Sequence, residues 1–154
     1  MKDVKIYALQ GNPKTHLNLL LSADPDEGMI DRYLSQSRIY VLEYRGEPAC
    51  QAVILPIDEK TIELKNLATE ERFQKRGLAR HMIQWLCEEY GARYERLIVG
   101  TSRQGCYFYQ RCGFRFVTMV PHFFTDHYPH PIYELGEQCV NLYYLERKIK
   151  EPWI

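Results

Sequence analysis

The stretch Glu63 to Arg80, ELKNLATEERFQKRGLAR, decides the fold. Leu64-Lys65-Asn66-Leu67-Ala68-Thr69 reads as a strand, Gln74-Lys75-Arg76-Gly77-Leu78-Ala79 as a turn, and a helix starts on the glycine. A helix that follows a strand through so short a turn leaves its first backbone N–H groups without intrahelical partners. They point outward at the positive end of the helix dipole, where anions bind. Gly77 lets the backbone approach a bound group, Ala79 keeps bulk off the first helical turn, and Lys75 and Arg76 add charge. This describes a phosphate cradle. There is no G-x-G-x-x-G dinucleotide fingerprint and no Gly-Lys-Ser/Thr ending of a P-loop. Taken alone, the segment fits an ordinary strand-to-helix turn equally well.

A second segment separates the two readings. Ser102-Arg103-Gln104-Gly105-Cys106-Tyr107-Phe108-Tyr109-Gln110-Arg111-Cys112-Gly113-Phe114 reads as a short helix over 103–112, closed by Gly113, with a strand beginning at Phe114. Tyr109 lies four residues before the Gly-Phe pair. Gln74-x-x-Gly77-x-Ala79, with Phe73 just before it, and this Tyr109 segment together resemble the two motifs of the GNAT superfamily of acyl-CoA-dependent N-acetyltransferases. The resemblance covers residues 38 to 120, and the ends only in outline. Two departures stand out: Ser102 replaces an asparagine usual in the family, and Gly105 replaces a common alanine.

The resemblance implies a cofactor, coenzyme A or acetyl-CoA, with its pyrophosphate on the amides from Gln74 to Ala79. It implies cofactor contacts from Leu67, Ala68 and Thr69, from Gln74, Lys75, Arg76, Gly77, Leu78, Ala79 and Arg80, and from Ser102, Gly105, Phe108 and Tyr109. It also implies an α/β (mixed α+β) fold: a mixed, mostly antiparallel twisted sheet with helices on both faces. The cofactor would lie where strands 62–69 and 96–100 splay apart.

The rest of the chain reads in that order. Lys2 to Leu9 looks like a first strand, and Pro13 to Leu21 and Gly28 to Ser37 like two short helices about a turn-rich segment. Ile39 to Tyr44 and Ala49 to Leu55 flank Arg45-Gly46-Glu47-Pro48 as a hairpin. From Gly77 to Tyr90, Leu78, Met82 and Leu86 repeat at helical spacing with Ala79, Ile83 and Tyr90 on the same face. Arg96 to Gly100 is a short buried strand, and Cys139 to Arg147 closes the sheet. Strands first, then strand–helix units, give a mixed sheet.

Composition bounds the function. A chain of 154 residues suits a single domain over 1–154 with a sizeable core. Twenty basic and twenty acidic residues cancel, leaving no field to steer nucleic acid. No apolar run has the length of a membrane span, and the N-terminus lacks the apolar centre of a signal peptide. Five cysteines without a C-x-x-C indicate reduced thiols in a cytoplasmic protein.

Acyl transfer from a thioester to an amine needs a base for the amine, a donor for the carbonyl oxygen and a stabiliser for the departing thiolate. A lysine-type amine, with a pKa of about 10.4, needs the base most. Family resemblance assigns the carbonyl donor to a backbone amide at Leu67 or Ala68, and such donors are commonly the largest catalytic contribution. Tyr109 is the candidate proton donor to sulfur, in competition with aromatic core packing. Glu63, eleven residues before Gln74, is the candidate base acting through water. A solvated strand end opposite Lys60 or Lys65 is its competing role. Asn66 could orient water or acceptor. Cys106 and Cys112 flank the helix without an evident base, so an acyl-cysteine route has little to support it.

The segment Pro121 to Glu137, PHFFTDHYPHPIYELGE, is long for a connection and rich in aromatic residues. By resemblance it shapes the acceptor pocket, with Asp126 or Glu134 beside an amine. Its His122, His127 and His130 invite a metal, but no zinc motif accompanies them, and aromatic packing or a subunit contact is preferred. The reading is a direct transfer from acetyl-CoA, in a ternary complex, to a small-molecule or peptide amine, with no metal, nucleic-acid or membrane partner. The alternative is a CoA-binding module with weak catalysis. A homo-oligomer is left open.

Overall fold

The computed structural model describes all residues from Met1 to Ile154. Seven strands form the main sheet: β1 Val4–Ala8, β2 Arg38–Tyr44, β3 Glu47–Pro56, β4 Thr61–Thr69, β5 Arg96–Thr101, β6 Arg115–Val120 and β9 Leu142–Lys148. A separate two-stranded ribbon, β7 Tyr133–Glu134 and β8 Glu137–Gln138, lies between β6 and β9 in sequence. The order across the sheet is β1-β2-β3-β4-β5-β9-β6. Only β4 and β5 run parallel; every other pair is antiparallel.

Helices cover both faces because the strands are apolar on both. On one face α3, Leu78–Tyr90, buries Leu78, Met82, Ile83, Leu86, Cys87 and Tyr90. These join Leu42, Ile54, Ile62 and Leu64 in a core cluster of 21 residues. Full burial of each such aliphatic side chain contributes about 1.5–3 kcal/mol. The opposite face is covered by α1, Leu17–Ala23, and α2, Glu27–Asp31, whose Leu20 and Ile30 pack with Tyr33, Leu34, Ile39 and Val53. Two further short helices, α4 Gly105–Arg111 and α5 Phe123–His127, flank β6 in sequence.

Several boundaries differ from the sequence reading, each for a local reason. The helix expected from Pro13 begins only at Leu17, because the Asn12 side chain accepts from Lys14 N and the Asn12 carbonyl from Thr15 Oγ1, holding a turn there. The helix expected at 28–37 is capped by Asp26, whose Oδ1 accepts from Met29 N at 3.0 Å. It ends at Asp31 and resumes as a 3-10 turn over Leu34–Gln36. The 121–137 segment is not a plain loop: it contains α5 and the β7–β8 ribbon, turned by Leu135 and Gly136 at positive φ.

One irregularity positions the site. Between β3 and β4 the register shifts: Val53 faces Asn66 but Ile54 faces Leu64, so Lys65 is an extra residue in β4. The parallel pairing of β4 with β5 stops at the same place, covering only Thr61–Leu64 against Arg96–Val99. A bulge bends its strand and sharpens the twist. Beyond Leu64, β4 therefore parts from β5 while staying bonded to β3. This is the splay expected from the sequence.

Candidate active site

The turn between β4 and α3 has two residues in the left-handed region, Lys75 at φ 64° and Gly77 at φ 77°. Gln74 anchors it, its Nε2 donating to the Thr69 carbonyl at 3.1 Å. The backbone N–H groups of Lys75 through Arg80 donate to no acceptor in the chain; the first helical bond is His81 N to Gly77 O. Six consecutive free amides at the start of a 13-residue helix make a concentrated anion site. They border a cavity of about 610 Å³ lined also by Thr69, Phe73, Ala79 and Phe108. A Cβ on Gly77 would meet only Met1 Cε, at 3.7 Å, so the space over the turn is open.

The charged side chains around this turn divide. The Lys75 ammonium has no carboxylate partner within ion-pair distance. Arg76 lies over the Tyr44 ring at 5.5 Å. Arg72 is held by Glu70 and Glu47. Arg80 spends its guanidinium on the Arg111 and Ile154 carbonyls, both at 2.8 Å, and on the Trp153 ring. Its amide, not its charge, faces the cradle. Leu78 likewise offers only backbone, because its side chain is buried in the core.

A second cavity, about 570 Å³, opens at the splay. Phe108 of α4 lines both cavities. Glu63, Leu67 and Tyr109 line the splay cavity. Beyond Leu64 only β3 pairs with β4, so one of the adjacent residues Leu67 and Ala68 turns its N–H toward the splay. Tyr109 is braced by Phe108 and Phe114, ring centroids at 5.0 and 5.4 Å, and its hydroxyl has no hydrogen-bond partner within the chain. Burial pushes its phenol well above the ordinary value, with Cys112, Cys50 and Glu134 adding to the shift. It is a proton holder at neutral pH. Glu63 is buried and pairs with Lys65 Nζ at 3.2 Å. Asn66 is buried too; its Nδ2 donates to the Leu20 carbonyl and to Tyr33 Oη, and its Oδ1 has no partner.

Comparison with known proteins gives this geometry a family. The profile of the acetyltransferase (GNAT) domain matches residues 35–116. The chain belongs to the GNAT acetyltransferase family. It is similar to the uncharacterized N-acetyltransferase YvbK of Bacillus subtilis, 33% identical over 128 residues, 79% of this chain and 81% of the relative. A GNAT acetyltransferase from Elizabethkingia anophelis, solved with acetyl-CoA bound, superposes with a TM-score of 0.90 at 31% identity, covering 96% of this chain and 99% of that one. A Bacillus subtilis acetyltransferase in complex with CoA superposes at 0.85 and 28% identity over 94% and 98% of the two chains. As a GNAT enzyme the protein is an acetyl-CoA-dependent acyltransferase. No helix is long and apolar enough to cross a membrane.

The two departures from the GNAT motif each have a local setting. Ser102 is buried, its Oγ donating to Glu134 Oε2 at 2.6 Å and accepting from Gly105 N at 3.1 Å. It ties α4 to the β7–β8 ribbon. Both of its hydrogen-bonding roles are thereby spent on the protein. A Cβ on Gly105 would lie 2.0 Å from Thr101 Oγ1, so alanine does not fit beside this threonine.

Other residues that line the splay cavity were not legible in order along the chain. Asp24, Tyr33, Tyr128 and Tyr144 line the splay cavity from the residue after α1, the segment after α2, the residue after α5, and β9. Tyr128 Oη donates to Asp24 at 2.9 Å across 104 residues of sequence, clasping the 121–137 segment to the end of α1. Burial raises Asp24 above the usual carboxylate range and pushes Tyr33 up to about 12. His127 is stacked on Phe123 at 4.5 Å and its Nδ1 bonds the Phe123 carbonyl. No cluster of three or more His, Cys, Asp or Glu is arranged to hold a metal. Of the cysteines beside α4, Cys106 has its thiol pushed up by burial and directed to the Ser102 carbonyl at 3.4 Å. Burial likewise raises Cys112. Neither is an activated nucleophile.

Proposed function

We propose that this GNAT enzyme acetylates a primary amine by direct transfer within a ternary complex, the acceptor occupying the splay cavity. The observation that carries the reading is that Phe108 lines both cavities, with Tyr109 and Leu67 lining the one at the splay. A ligand whose phosphates sit on the free amides of the cradle would pass Phe108 to reach the splay. Bound acetyl-CoA supplies an acetyl group activated as a thioester.

The chain's own groups then divide the work. The free amides from Lys75 to Arg80, with the Lys75 ammonium, hold the pyrophosphate. The Leu67 or Ala68 N–H facing the splay stabilises negative charge as it grows on the carbonyl oxygen. Glu63, through a water, takes the proton the amine must lose; Lys65, 3.2 Å away, orients its carboxylate. Tyr109, a phenol that is protonated at neutral pH, directs its O–H toward the departing sulfur, as a hydrogen bond or a proton. Base and acid stand on different elements, β4 and α4, so the proton leaves on the acceptor side and is returned on the thiol side. Cys106 and Cys112 play no covalent part, since burial keeps both protonated. The five free thiols favour a cytoplasmic setting.

The test is thiol release from acetyl-CoA across a panel of amines, with mass spectrometry of the product. N-acetylated product with first-order dependence on both substrates and no acyl-enzyme supports the reading. Acetyl trapped on a cysteine, or release of CoA with no amide formed, overturns it.

A further inference from the structure

Among the carboxylates lining the splay cavity, Glu63 has Lys65 and Glu134 has Ser102. Asp24 has no cation within ion-pair distance: it accepts only from Tyr128 Oη and, at 3.4 Å, from Asp26 N, and Lys65, already paired with Glu63, acts on it only from farther off. A half-buried carboxylate without an ion-pair partner, among aromatic rings, is a favourable environment for an ammonium ligand. The chain shows the same preference internally, since the Lys65 ammonium lies over the Tyr33 ring at 5.2 Å. Independently, Asn66 Oδ1 is buried on the same cavity with nothing to accept from, while its Nδ2 is fixed by two bonds. It calls for a ligand donor.

One nitrogen cannot answer both groups. The attacking nitrogen must be neutral when it reacts, so it cannot be the counter-ion of Asp24. A neutral amine still has N–H groups to give Asn66 Oδ1. Resting on the amine-acetylation reading above, we propose that the acceptor is a diamine or longer polyamine. Its reacting nitrogen lies beside Asn66 and Glu63, and its second, cationic nitrogen at Asp24 against Tyr128. Arg32 also lines the cavity, but it is exposed, its guanidinium resting on Met29 Sδ at 3.6 Å. An acceptor bearing a carboxylate would use Arg32 instead, which the probes below separate.

The experiment measures kcat/KM for putrescine, cadaverine, butylamine and γ-aminobutyrate with the native enzyme and with Asp24→Asn and Tyr128→Phe. A charge-assisted contact predicts a diamine advantage of about 10- to 100-fold over butylamine. That ratio collapses toward one in Asp24→Asn, mainly through KM. It falls less in Tyr128→Phe, which keeps the carboxylate. Both variants are near-isosteric, and their circular dichroism reports folding. Butylamine or γ-aminobutyrate matching the diamines, or an Asp24→Asn enzyme that retains the ratio, overturns this inference and leaves amine acetylation standing. Absence of acetylation with every amine overturns both.

Discussion

Replacing Gly105 by alanine tests whether α4 is set by the close approach of β5. The new Cβ would stand 2.0 Å from Thr101 Oγ1, 3.2 Å from Thr101 Cβ and 3.5 Å from Ser102 Oγ. Threonine is β-branched and stiff at χ1, so it cannot swing aside as a long side chain would. The helix start must move, and overpacking of this kind costs about 1–3 kcal/mol. Against this, alanine is preferred over glycine in a helix by up to about 1 kcal/mol. The expected net loss is therefore about 1–2 kcal/mol, and at about 2–4 °C per kcal/mol for a chain of this size the melting temperature falls by several degrees. Urea denaturation of four proteins measures it: native, Gly105→Ala, Thr101→Ala and the double variant. Thr101→Ala removes the closest clashing atom, so the double variant should regain most of the loss. The coupling between the two sites should then be about 1 kcal/mol or more. In Gly105→Ala alone, kcat should also fall, because Ser102, Gly105 and Tyr109 move together. A single variant as stable as the native protein, or two substitutions that simply add, refutes the reasoning.

Gly77→Ala should keep the fold, at a cost of about 1–2 kcal/mol for a side chain in the left-handed region, because its Cβ meets only Met1 Cε. Calorimetry should show CoA affinity reduced about tenfold or more as the backbone is held off the phosphates; unchanged affinity removes the cradle from this turn. Tyr109→Phe should lower kcat by about 10²–10⁴-fold with CoA affinity nearly unchanged, and a native kcat would reduce the tyrosine to packing. Glu63→Gln should depress the rate most at low pH, the defect shrinking as pH approaches the amine's pKa; a native pH–rate profile returns the base role to solvent. Tyr33, Tyr90, Tyr109 and Tyr128 all have folded values raised chiefly by burial. Their folded state holds protons that the unfolded chain gives up above about pH 10. Their contribution is thus full below that pH and lost as pH rises toward the folded values. Denaturation midpoints between pH 8 and 11 (about one unit steps suffice) should fall only beyond about 10, and a flat profile contradicts the burial argument.

The cradle and the helix after it were determined by the chain's local order. Gln74 to Ala79 needs only a strand before it and an apolar helical face after it, and both are written in consecutive residues. The 3.6-residue spacing of Leu78, Met82 and Leu86 fixes which side α3 buries, and the Tyr109 segment ends where Gly113 permits φ 87°. Short elements were misjudged where side chains compete for backbone bonds, as at Asn12 and Asp26. Tertiary structure alone decided the rest of the site. Arg80 reads as a phosphate ligand in sequence, yet the fold brings Ile154 and Trp153 to it and spends its charge. Ser102 reads as a cofactor contact in sequence, and the fold also brings Glu134, 32 residues on, to its hydroxyl. Asp24 and Tyr128 carry no motif; their hydrogen bond spans 104 residues, and its geometry exists only once the fold brings the ends of α1 and α5 together. Local spacing specifies backbone donors and helix faces, because those depend on neighbours in sequence. Which side chains remain free to meet a ligand depends on which distant groups have already satisfied them.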